Sequence, residues 1–140
     1  AGYSAFCVSI EEEPHWLKIT VPAILPGRNG RDNTLFITRP LRNCLTQFQR
    51  LTPMERFGEC VICIVHQYDV ALGKRGFVHD NIETKRYLDV IEAALLTNDS
   101  GMLCSVLQTS KLGDRDCTEF YIMLPETLPK WAKEHIKRHT

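Results

Sequence analysis

"GFVHDNIETKRYLDVIEAALLTNDSG", residues 76–101, is the stretch on which the fold turns. Leu88, Ile91 and Leu95 fall on one apolar face, so the run reads as one helix over about residues 82–96. Asp80 and Asp99 stand at its two ends, with Lys85 just inside. Asp80 with Glu83 has the spacing of a capping box, in which the aspartate accepts from free helix N–H groups and the glutamate reaches back. Lys85 and Asp89 lie one turn apart and can pair on a solvated face. Asn98-Asp99-Ser100-Gly101 is turn chemistry between a helix and a strand. The same two aspartates could instead be metal ligands, and the residues alone leave both roles open.

Before this helix, "ECVICIVHQY" (59–68) is apolar on both faces, as in a strand inside a sheet, and "DVALGKRGF" follows it as a basic turn-like approach. After it, "MLCSVLQTS" and "CTEFYIML" read as a strand pair around the turn "KLGDRD". Further upstream, "HWLKITV" (15–21) has strand composition and ends at Pro22, a loop follows over 23–33, and "TLFIT" (34–38) reads as a short second strand. With Thr38 as N-cap and Pro40 in the first turn, Leu41, Cys44, Leu45, Phe48 and Leu51 predict an amphipathic helix ending at Pro53. "ETLPKWAKEHIKRH" predicts a short surface helix over about 127–138. The order β-β-α-β-α-β-β-α predicts one α+β domain over residues 1–140, a mixed sheet with helices packed on one side.

A chain of 140 residues with 44% apolar and 24% charged content is ordinary for a folded domain. No apolar run approaches the roughly 20 residues that span a bilayer, and the N-terminus lacks a basic-then-apolar leader, so a cytosolic protein without membrane contact is expected. Lys plus Arg balance Asp plus Glu at 17 each, which excludes a global positive field for nucleic acid. Any such function must rest on a local patch: Arg28 with Arg31, Arg39 with Arg42, or Lys74 with Arg75. The six cysteines read as small buried hydrophobes. Cys60 and Cys63 fall three apart in a strand, so they point to opposite faces and cannot chelate one ion together. His135 and His139, one turn apart, read as exposed, and Trp16 and Trp131 as packing residues.

Over about residues 16–124 these runs resemble the RusA-like Holliday-junction resolvases of phages and bacteria. "LKITVPAILPGRNGRDN" is similar to that family's opening strand and its Asn- and Arg-containing loop. "CVICIVHQYDVALGKRGFVHDN" is similar to its central strand, basic turn and Asp-x-Asp-Asn motif, and "ETKRYLDVIEAALLTNDSGMLCSVLQTSKLGDRDCTEFYIML" to its Lys-containing helix, Asp-Asp turn and closing hairpin. The resemblance implies a Mg²⁺-dependent endonuclease that hydrolyses phosphodiester bonds in branched DNA, of phage or mobile-element origin. Asp80 and Asp99 would hold the ion, Asn81 and His79 would support it, and Lys85, Lys74, Arg75, Arg28 and Arg31 would meet phosphate. A hard divalent ion suits carboxylate oxygens and neutralises charge developing on a phosphate; His79 would suit Mn²⁺ better than Mg²⁺. The chain departs from the pattern at Val78, where the family's first Asp stands, and at Asn98, where the turn's other Asp stands. The alternative is a catalytically inactive relative serving as a DNA-binding or protein-interaction module.

A straight helix over 82–96 sets its ends about 20 Å apart, beyond two carboxylates sharing an ion at about 2–2.6 Å. A twofold partner with an antiparallel helix would bring its Asp99 beside this Asp80, so a homodimer is expected, with Leu88, Ile91 and Leu95 at or near the interface.

Overall fold

The computed structural model describes residues 6–27, 34–72, 83–97 and 104–136. They form a mixed α+β fold: a five-stranded mixed sheet with three helices. β1 (Ser9–Glu12) pairs antiparallel with β2 (Leu17–Val21), followed by α1 (Thr34–Leu51), β3 (Cys60–Asp69), α2 (Lys85–Leu95), β4 (Cys104–Gly113), β5 (Cys117–Met123) and α3 (Leu128–His135). The sheet order is β1-β2-β5-β3-β4.

The element string matches the expected one, yet it is composed differently. β1 was not anticipated, because "SIEE" carries two glutamates and only one large apolar residue; as an edge strand it needs no buried face. "TLFIT" is helix rather than strand. Ile37 and Thr38 are both buried while Phe36 is 57% exposed, a pattern that alternation along a strand does not produce. Ile37 continues the stripe of Leu41, Leu45 and Phe48 back by one turn, and that burial carries α1 through Pro40, whose missing N–H leaves one intrahelical bond unmade.

β3 lies inside the sheet and is buried along nine of its ten residues, which explains its unbroken apolar run. β4 lies parallel to β3 over ten register positions, so α2 sits on a β-α-β crossover. β5 then enters between β2 and β3, antiparallel to both. The expected hairpin of the last two strands is therefore not formed, because β3 lies between them. Residues 114–116 step over the end of β3, a gap of two strand spacings, or roughly 9.5 Å. That crossing is stitched down: Asp69 N–H donates to Asp116 Oδ1 at 2.8 Å, and Gln67 Nε2 donates to the Arg115 carbonyl at 2.8 Å. Gly113 gives Gln67 its room, since a Cβ there would lie 2.3 Å from Gln67 Cδ.

Helices cover both faces of the sheet, not one. Ile37, Leu41, Leu45 and Phe48 of α1 and Tyr87, Leu88, Ile91 and Leu95 of α2 pack on Ile19, Ile62, Ile64, Phe120 and Ile122. On the opposite face Trp131 of α3 packs on Val61, Cys63, Val65, Tyr121 and Met123. A helix that looks like a surface appendage thus closes a second core, and Trp131 is fully buried. Cys60 belongs to the first cluster and Cys63 to the second, as strand alternation requires. Among the described residues no helix is long and apolar enough to cross a membrane.

Candidate functional site: an arginine-lined groove between two helices

Of the residues assigned to a site from sequence, Asp80, Asp99, His79, Asn81, Arg28, Arg31, Lys74 and Arg75 lie outside the described residues, as does Val78. Lys85 is the first residue of α2, and its Nζ pairs with Asp89 Oδ2 at 3.4 Å, the helical i,i+4 pair that the spacing predicts. The N-cap of α2 is Thr84, where the sequence suggested Asp80; Glu83 Oε1 accepts the Lys85 N–H at 3.0 Å. Leu88, Ile91 and Leu95, expected at a subunit interface, are buried in the core at 9%, 0% and 2% exposure. They bind α2 to its own sheet, so they are not available to a partner helix. His135 is not a free surface histidine. Its ring stacks on Trp131 at 4.8 Å and lies 4.8 Å from Tyr121, and its Nδ1 donates to the Trp131 carbonyl at 2.9 Å. Trp16 joins the same cluster, edge-on to Tyr121 at 6.2 Å. Among the described residues, no three His, Cys, Asp or Glu side chains are grouped to hold a metal ion.

The structure instead brings together residues from two helices. On α1, Thr38, Arg42, Thr46 and Gln49 recur at helical spacing beside the buried stripe; on α2, Arg86, Asp89, Val90 and Ala93 do the same. The two rows face each other across a groove of about 580 Å³. One end is locked. Arg56 Nη1 donates to the carbonyls of Ala93 (2.8 Å) and Leu96 (3.1 Å), and Gln49 Nε2 donates to that of Ala94. These donors satisfy carbonyls that the last turn of α2 leaves without intrahelical partners, and the guanidinium charge suits the negative helix end. Phe57 N–H to Leu95 O and Thr97 N–H to Phe57 O, both 2.8 Å, zip the following segment onto the same end.

The chemistry of the groove is cationic. Among the described residues, Arg42, Arg56 and Arg86 line it with one carboxylate, Asp89, which Lys85 pairs. α1 carries Arg39, Arg42 and Arg50 and no acidic residue in 18 positions. That acid-free run was the signal in the sequence, where Arg39 with Arg42 already stood out; what sequence could not show is that Arg86 and Arg56 arrive beside them. Guanidinium forks on two rigid helices match phosphate or carboxylate oxygens.

Two further polar clusters were not foreseen. Glu119, nearly buried on β5, accepts from Tyr121 Oη at 3.0 Å and pairs with Lys18 at 3.5 Å and Lys111 at 3.7 Å. Burial and the neighbouring Glu119 carboxylate push the Tyr121 phenol far up from its ordinary value, so it stays a donor. On the other face, fully buried His66 Nε2 meets Gln108 Oε1 at 2.8 Å, near the C-terminal ends of the parallel strands.

No curated protein matches the sequence. Among solved structures, the periplasmic domain of Helicobacter pylori MotB (residues 90–256) is similar at TM-score 0.45 and 10% identity, covering 93% of this chain and 90% of that one. Two further crystal structures of that domain give TM-scores of 0.45 (residues 78–256; 91% and 92% covered) and 0.41 (residues 97–256; 92% and 98% covered), each at 10% identity. A family model matches residues 3–140, nearly the whole chain, which therefore belongs to DUF6100, a family of unknown function.

Proposed function

We propose that this chain is a cytosolic DNA-binding module, a RusA-like relative that grips the phosphates of branched DNA along the α1–α2 groove. The observation that carries the reading is the convergence of Arg42, Arg56 and Arg86 on one groove, where Asp89, the carboxylate among the described lining residues, pairs with Lys85. Overall charge is zero, so attraction has to be local, and a groove of this kind makes it local. Arg56 spends one nitrogen on helix carbonyls, which fixes its remaining donors in place.

Three phosphate contacts predict a slope of log K against log salt near −2.7, a loss of about 40-fold between about 50 and 200 mM salt. Fluorescence anisotropy on a labelled four-way junction measures it. Arg42→Glu with Arg86→Glu leaves about one contact and a loss of only about 3.5-fold over the same range, with much weaker binding throughout. Both side chains are exposed, so circular dichroism of the variant should match the parent. Equal binding by parent and variant overturns the reading.

The second reading is a Mg²⁺-dependent endonuclease, and the sequence observation that favours it is Asp80-Asn81 and Asp99 in the resolvase-like order. Asp80 and Asp99, with His79 and Asn81, would hold the ion, which would supply charge neutralisation at a scissile phosphate. Nicking of the same junctions with Mg²⁺ or Mn²⁺, lost in Asp80→Asn, separates an enzyme from a binding module.

A further inference from the structure

β4 is the edge of the sheet. Its ten residues pair with β3 in unbroken register, and among the described residues no strand pairs with its other side. Natural sheets guard such edges with proline, bulges, charge or brevity, because an unpaired row of N–H and C=O groups is a template for another strand. β4 has no proline and no break in register, and it is as long as β3. Its single charge, Lys111, is turned inward across the sheet face to Glu119 on β5 at 3.7 Å. Two large apolar side chains stand exposed on it, Val106 at 43% and Leu112 at 51%.

We propose that β4 is a self-pairing edge: two copies of the chain join β4 to β4 antiparallel about a twofold axis, making one ten-stranded sheet. The sequence of the strand selects the register. Facing residues in an antiparallel pair share a side of the sheet, so a symmetric pairing can be centred on any one residue. Centring on Thr109 sets Val106 opposite Leu112 of the second copy and Leu112 opposite Val106 of the second copy. Both exposed apolar side chains are then covered, in two equivalent pairs. Thr109 faces itself on the axis, Gln108 faces Ser110, and Lys111 faces Leu107, so no like charges meet. Centring on Gln108 would set Val106 against Ser110, and centring on Ser110 would set it against Asp114, losing the apolar match. A twofold axis normal to the sheet keeps both α1–α2 pairs on one face of the joined sheet. The association stands independently of what the grooves bind.

The seam is short, below the roughly 1,200 Å² of a standard interface, so the dimer is a reversible one of micromolar strength. Sedimentation velocity over a micromolar dilution series should show monomer passing to dimer. Val106→Lys should weaken the dimer tenfold or more while leaving the melting temperature unchanged, since the side chain is half out in solvent. Thr109→Cys should cross-link to its own copy when a small-molecule disulfide accepts the two electrons and two protons of the thiol pair. Facing Cα atoms at about 4.5–5.5 Å lie within disulfide reach. Thr46→Cys, exposed on α1, should not cross-link above the parent's own background. A chain monomeric at every concentration, a dimer indifferent to Val106→Lys, or Thr109→Cys linking no faster than Thr46→Cys overturns the proposal; a monomer would leave the edge to a strand of different sequence.

Discussion

Replacing Trp131 with alanine tests whether α3 is an appendage or the lid of a second core. Trp131 is the one fully buried side chain of α3, stacked on His135 and edge-on to Tyr121 at 5.4 Å. A tryptophan buries roughly 150–250 Å², worth about 4–6 kcal/mol at about 25 cal/mol per Å². Its Nε1 is buried with no hydrogen-bond partner among the described residues, and removing that orphan donor returns about 1–3 kcal/mol. The net expected loss is therefore about 3 kcal/mol. For 140 residues that lowers the melting temperature by about 10 °C. Trp131→Phe keeps most of the packing and deletes the orphan N–H, so it should cost less than half as much. Urea denaturation of both variants, followed by circular dichroism, measures the two losses. A loss under about 1 kcal/mol for Trp131→Ala is what an exposed position gives. That result, or an equal loss in both variants, would refute the second core.

Burial pushes the Cys60 and Cys63 thiols up from near 9 to about 12, Cys60 being raised further by the neighbouring Cys104. The folded state keeps these protons while unfolded thiols ionise, so their contribution is fully present below about pH 9 and falls by about 1.4 kcal/mol per pH unit per thiol toward about pH 12. Urea midpoints should therefore fall more steeply across that window in the parent than in a Cys60→Ala/Cys63→Ala variant; parallel curves would show that the thiols do not carry it. Pro40→Ala restores an intrahelical bond in α1 and should raise stability by about 1–3 kcal/mol, read from the denaturation midpoint; a neutral or lower midpoint would mean that the helix does not run through this position.

Much of the secondary structure was legible because its cause is local. The buried stripe of α2 and the apolar run of β3 each carry their period in adjacent residues, and the strand placement of Cys60 and Cys63 followed from alternation alone. What failed is what depends on distant partners. "TLFIT" suits a strand by composition, and only contact of Ile37 with the sheet core decides for helix. The last two strands look like a hairpin because three residues separate them, yet β5 is buried along its whole length while β4 is half exposed. That contrast, an interior strand next to an edge strand, was present in the residues. The groove was least legible, since Arg42 and Arg86 become neighbours only when two helices dock on one sheet.

The placement of β5 has a consequence for synthesis on the ribosome. Until Cys117–Met123 emerges, the nascent chain can form only two separate pieces, β1 with β2 and β3 with β4, each with a bare apolar flank. The strand that joins them follows both of its sheet neighbours in the chain, so neither piece can complete the sheet until it has been made. At about 5–20 residues per second the wait after β3 lasts several seconds, a window in which holdase chaperones would be the natural guardians of the unfinished sheet. The late strand also makes distant contacts, such as Leu17 with Ile122, and contacts of that span slow the closure of the sheet.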